Sequence, residues 1–238
     1  MEHPGKEYKV TYKTYYNQRL KKSFFHTKLM HPLYIQVIFD RIPITFKSYY
    51  YDLFSKSKYA IQVAGQLYTP DIKQIIIKEK ALLDFIINNN LQSFSLDLFK
   101  KEYAFYCRDL LDIMEGDFSN YLYTLFHDEG LPFLAETFQQ GASVSVLYRL
   151  VQDMKKALDS RLYNKLIDNS FYYAPPYLPL YAFTEKSKSN PPVSITVMEW
   201  VRPETKEKFA VFFKKQYQGY DITETFRKIQ QFITHAGK

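Results

Sequence analysis

Cysteine is nearly absent from this chain. Cys107 stands alone among 238 residues, which excludes internal disulfides and any cysteine-based zinc site. Glycine is scarce as well, at seven residues, and no G-x-x-x-x-G-K-[ST] occurs, so no phosphate-cradling loop is indicated. No G-x-S-x-G elbow presents a nucleophile. No run of 18 apolar residues exists, and residues 1–18 are polar without the apolar core of a signal peptide. These absences set the expectation of a soluble cytoplasmic protein with no membrane partner.

What the chain does have is aromatic bulk and unevenly placed charge. Tyr and Phe together number 42, and the hydrophobic fraction is 46%, enough for a substantial core. Residues 1–60 carry nine Lys and two Arg against four acidic residues, a net charge of +7. The remaining 178 residues carry 21 basic and 21 acidic groups and are neutral. A chain that is basic at one end and neutral elsewhere points to a local anionic partner, with nucleic acid as the first candidate.

The pattern along the chain predicts an α+β protein. Residues 8–16 (YKVTYKTYY) read as a strand with one polar face. Leu33, Ile35, Val37 and Phe39 alternate on one face of a second strand, and Ile42, Ile44 and Phe46 extend that face past a turn at Asp40–Arg41. Pro43 restricts the third strand to a sheet edge or a strand start. Asp71 caps a helix whose stripe is Ile72, Ile75, Ile76, Leu82, Leu83 and Ile86. Ser95 caps the next, which Gly116 and Asp117 are expected to break. Further helices are expected over 118–128, 131–140 and 143–168. Five of the eleven prolines fall in 174–192, which reads as a linker. Residues 193–201 and 208–214 read as two strands, and Asp221 with Glu224 as the capping box of a last helix. The expected organisation is a basic sheet-plus-helix module over 1–90, a helical domain over 91–173, the linker, and a C-terminal ββα unit over 193–238.

The functional candidates follow from this placement. A β-ribbon fits the major groove of DNA when one face carries donors and cations and the other packs on a helix. Lys9, Lys13, Lys21, Lys22, Arg41 and Lys47 are the expected phosphate contacts, and Tyr12, Tyr34 and Gln36 the expected groove contacts. A Lys/Tyr-rich strand is equally the solvated face of an ordinary sheet, and both readings stand at this point. His26 and His31 are spaced five apart, unsuited to one helix face, and no metal site is expected there. Asp109, Asp112, Glu115 and Asp117 read as a solvated helix end, and Cys107 as a buried small hydrophobe. No catalytic residue, metal or cofactor is expected. Tyr172, Tyr173, Tyr177, Tyr181 and Phe183 form a second candidate, an aromatic surface for self-association or a protein partner.

The order of elements over residues 8–105 resembles the N-terminal arm-type DNA-binding domain of tyrosine recombinases (integrases) of Bacteroidetes-type mobile elements. The residues that carry it are PLYIQVIFDRIPITF at 32–46 and KALLDFIINNNLQSFSLDLFKKEY at 80–103, with the helix-opening step Phe94, Ser95, Leu96, Phe99, Lys100. The resemblance implies a short sheet followed by a helix, double-stranded DNA as partner, and SAM-like core-binding helices next. The family's catalytic domain has no counterpart. None of His3, His26, His31, His127 or His235 opens a His-x-x-Arg motif, and residues 193–238 are too few to hold such a domain. The expected protein is therefore a non-catalytic DNA-binding relative. The alternative is a structural or protein-interaction module that binds no nucleic acid.

Overall fold

The computed structural model describes residues 9–63, 66–187 and 193–236. They divide into two compact units, one of residues 9–55 and 70–107, the other of 56–69 and 108–236. The architecture is α+β, with the main sheet in the first unit and most of the helices in the second.

In the first unit the strands are β1 (Thr11–Tyr16), β2 (Ser23–Phe25), β3 (Lys28–Met30), β4 (Leu33–Phe39) and β5 (Ile42–Lys47). An antiparallel sheet of order β1-β4-β5 places the most apolar strand in the centre. The β4–β5 connection is two residues long, and Asp40 and Arg41 both take positive φ, 49° and 63°. That is the type I′ geometry that matches strand twist. It sets Val37 opposite Ile44 and Ile35 opposite Phe46. Pro43 lies on an edge strand, where its missing N–H costs no ladder bond.

Helices α1 (Tyr49–Ser55), α2 (Ile72–Asn89) and α3 (Leu96–Tyr106) complete the unit. Asp71 accepts from Lys73 N and Ser95 from Leu98 N, so both expected caps are made. Leu33, Ile35 and Val37 of β4 and the α2 stripe of Ile75, Leu82, Leu83 and Ile86 are all buried in the core of this unit. Phe39 packs on Phe94, and Phe46 on Phe99 and Tyr103.

One carboxylate sits inside this core. Glu79 lies on the apolar stripe of α2 and accepts from Ser48 Oγ, Tyr50 N and Tyr103 OH, which anchors the start of α1. Burial pushes its pKa up to about 7, and these hydrogen bonds only partly oppose that. The folded state therefore holds a proton that the unfolded chain releases above the ordinary value of 4.5. Its contribution to the unfolding free energy should be fully present below pH 4.5 and be lost, by about 3 kcal/mol, as pH rises to 7. Glu79→Gln should flatten that part of the profile in urea denaturation at successive pH values. An unchanged slope would mean that the carboxyl titrates normally.

The second unit begins with a 3-10 turn (Ser57–Tyr59) and the small pair β6 (Ile61–Val63) and β7 (Gln66–Tyr68). Its helices are α4 (Leu110–Asp128), α5 (Pro132–Gly141), α6 (Leu147–Ala157), α7 (Ser160–Tyr173), α8 (Tyr177–Ser187), α9 (Val197–Val201), α10 (Pro203–Gln216) and α11 (Ile222–Ala236).

Several expectations are corrected here. The break after α3 falls at 107–109, not at Gly116. Asp109 accepts from Leu111 N and Asp112 N and starts α4, which runs through Gly116. Glycine costs about 1 kcal/mol in a helix, far less than α4 gains by burying Leu110, Leu111, Met114, Phe118 and Leu122. The helix expected over 143–168 is two, because Asp159 caps α7 through Arg161 N and Leu162 N.

The Pro-rich stretch 174–192 is no linker over its described part. Pro175 and Pro176 precede α8 and Pro179 lies in its first turn, where a missing N–H breaks no helical bond. Residues 188–192 lie outside the described residues. The C-terminal ββα unit is likewise replaced by three helices. Thr196 and Glu199 form a complete capping box that turns the β-rich VSITVMEWV into α9. Phe209 and Phe213 are buried one turn apart on α10. Trp200 packs on Phe209 and Phe226. Glu224 pairs with Arg227 instead of closing a box at Asp221. The module boundary expected at 90 falls at 107, and α3 belongs with the sheet.

Candidate nucleic-acid interface

The pleat of the sheet decides which of the expected contact residues act together. Alternation puts Tyr12, Thr14 and Tyr16 on the face that packs on the helices, and Thr11, Lys13 and Tyr15 on the opposite face. Register then builds three cross-strand rows on that open face: Lys13–Gln36–Thr45, Tyr15–Tyr34–Lys47 and, nearest the β4–β5 turn, Thr11–Ile38–Pro43. The sheet thus brings together Lys13, Tyr34, Gln36 and Lys47. Lys13 leans over the Tyr15 ring, its Nζ 5.6 Å from the centroid.

Tyr12 is a correction. Its hydroxyl donates to Asp84 of α2 at 2.6 Å, on the helix side of the sheet. Burial, then the hydrogen bond and charge of Asp84, push its pKa up to about 12. It joins sheet to helix and is turned away from the open face. Thr45 and Tyr15 take its place. Both follow from alternation once the two-residue turn fixes the register.

The remaining cations surround the open face. Arg41 occupies the tip of the β4–β5 turn and Lys9 precedes β1 at the same end. Lys21 and Lys22 lie at the opposite end, in the connection from β1 to β2. Lys47 makes an ion pair with Asp52 at 2.5 Å, so it is partly neutralised. Lys9, Lys13, Lys21, Lys22 and Arg41 make no ion pair among the described residues, and all are exposed. Residues 9–47 hold eight basic side chains and one acidic, and no Asp or Glu occurs from 8 to 39.

The other candidate groups are engaged elsewhere. Lys56 and Lys58, part of the basic first quarter of the chain, belong to the second unit and neutralise its acidic cluster. Lys58 pairs with Glu115 and, at 3.2 Å, with Asp112, and Lys56 reaches Asp112 at 2.9 Å. Asp109 is the buried cap of α4, so the cluster at 109–115 is a paired core feature and no solvated helix end. His26 Nε2 donates to the Phe54 carbonyl, and His31 Nδ1 to that of Leu20. No group of three His, Cys, Asp or Glu among the described residues is placed to hold a metal ion. No helix among them is long and apolar enough to cross a membrane. Cys107 is buried.

The expected aromatic surface is corrected as well. Tyr177, Tyr181 and Phe183 are core residues of α8, with Tyr177 stacked on Phe118 and Tyr181 on Tyr148. Only Tyr172 and Tyr173 are exposed. They edge an open cleft of about 520 Å3 together with Asp117, Asn120 and Lys228. Lys228 offers that cleft no spare donor, because its ammonium caps α7 through the carbonyls of Phe171, Tyr172 and Ala174.

No family model matches the chain, and comparison with curated proteins and with solved structures likewise finds no match.

Proposed function

We propose that the open face of the β1-β4-β5 sheet binds double-stranded DNA, and that the protein is a non-catalytic DNA-binding relative of mobile-element integrases. The observation that carries this reading is the placement of unpaired cations around an open sheet face whose reverse is packed on helices. The axes of the two outer strands lie about 10 Å apart, comparable to the roughly 12 Å width of the major groove. Lys13, Gln36, Thr45 and Tyr34 supply hydrogen-bonding groups across that width, and Arg41, Lys9, Lys21 and Lys22 reach phosphates at the two ends.

Arg41 adds a separate argument. It takes a left-handed conformation that glycine adopts without strain and that costs an L-residue about 1 kcal/mol or more. A cation kept at a strained turn tip fits an electrostatic role there.

With Lys47 tied to Asp52, five of the six expected phosphate contacts remain free. Fluorescence anisotropy with a random-sequence duplex should show log K falling against log salt with a slope of about −4 to −5. Binding that ignores salt, or no binding at low salt, would remove the proposal.

A further inference from the structure

The sheet ribbon does not stop at Tyr16 and Leu33. Asn17 N donates to the Pro32 carbonyl at 3.0 Å, and His31 reaches that of Leu20. Beyond these links the two segments pair again as the β2–β3 hairpin, whose tip is His26–Thr27. One face of this hairpin is fixed. Phe25 is buried and stacks on Tyr51 at 5.1 Å, and His26 donates to the Phe54 carbonyl at 2.6 Å. The other face presents Phe24 and Leu29, which are direct cross-strand partners. They are 70% and 56% exposed, with Leu20 also exposed nearby in the chain.

A large apolar pair held in water on an anchored hairpin marks an interaction site. Its chemistry is specified by its neighbours. Lys21, Lys22 and Lys28 flank it, within the segment that contains no acidic residue. Cations around an apolar wedge suit a partner with phosphates outside and an apolar stack within. We infer that Phe24 and Leu29 enter between base pairs from the minor groove of duplex DNA and kink it, while the lysines hold the adjacent phosphates. This inference rests on the DNA reading above. Pyrimidine–purine steps, which unstack most easily, are the preferred entry points. An anionic membrane would match the same charges but would leave the Lys13–Gln36–Thr45 row, on the same ribbon, without a use.

The test uses the full-length protein and a duplex of about 30 base pairs with a central TA step and donor and acceptor dyes at its ends. Wild-type protein should raise energy transfer at saturation, as a kink of about 20–90° brings the ends together. The variant with Phe24→Ala and Leu29→Ala changes only exposed side chains. It should bind within about tenfold of wild type, because phosphate contacts dominate affinity, and give the energy transfer of free duplex. Salt-dependent wild-type binding to a straight duplex, or equal bending by the variant, overturns the wedge and leaves the DNA reading in place. No wild-type binding at low salt overturns both. Flotation with phosphatidylserine vesicles that the variant loses, with DNA left straight, assigns the hairpin to a membrane and overturns the wedge.

Discussion

Lys58→Ala should lower the unfolding free energy by about 3–5 kcal/mol, the range for removing one partner of a buried ion pair. Lys58 and Glu115 are each 8% exposed, and their partners are Asp112 and the Tyr177 hydroxyl, which donates to Glu115 Oε1 at 3.2 Å. Burial alone lowers the pKa of Lys58, but Glu115 and Asp112 outweigh it and hold the ammonium above its ordinary value. Asp112 is likewise held below the usual carboxylate range, the effect of burial being overridden by Lys56 and Lys58. Without Lys58, Glu115 faces the core with only Tyr177, whereas Asp112 keeps Lys56. Chemical denaturation gives the loss directly. Replacing both partners by apolar residues, Lys58→Met with Glu115→Leu, should cost much less, since no charge is then stranded. Equal losses in the two variants would show that packing, not charge pairing, sets the effect.

The second large effect concerns binding. Lys13→Glu with Arg41→Glu should weaken DNA affinity about 100-fold at 0.1 M salt and bring the salt slope to about −3, through the loss of two phosphate contacts and added repulsion. The same change of charge at Lys155 and Lys156, exposed on α6 in the other unit, should leave affinity within about threefold. Equal effects of the two pairs would mean that net charge, not the sheet face, drives binding. Circular dichroism of both variants checks that the fold is retained.

How far the sequence revealed this structure depended on whether the deciding contacts were local. The β4–β5 hairpin was legible because alternation on both sides of Asp40–Arg41 admits one register. The α2 stripe was legible for the same reason, but the buried carboxylate of Glu79 within it was not read from the sequence. Lys58, Glu115 and Tyr177 were not legible as a group, since their partners lie 57 and 62 residues away along the chain. At 193–201, β-branched composition pointed to a strand. The local box Thr196-x-x-Glu199 carried the stronger information, because two made hydrogen bonds outweigh a weak β preference. At 174–192 proline count suggested a linker, whereas proline position in the first turn of α8 permitted a helix. For the candidate interface the cations were legible from charge alone, but the facing was not. Tyr12 and Lys13 are neighbours in sequence and lie on opposite faces.

The most direct test is amide chemical-shift mapping of the full-length protein titrated with a random-sequence duplex. The open-face reading predicts perturbations concentrated at Lys13, Tyr15, Tyr34, Gln36, Arg41 and Thr45, with α3 and the helices of the second unit unchanged. Perturbations centred on those helices, or none on the sheet at saturating duplex, would contradict it.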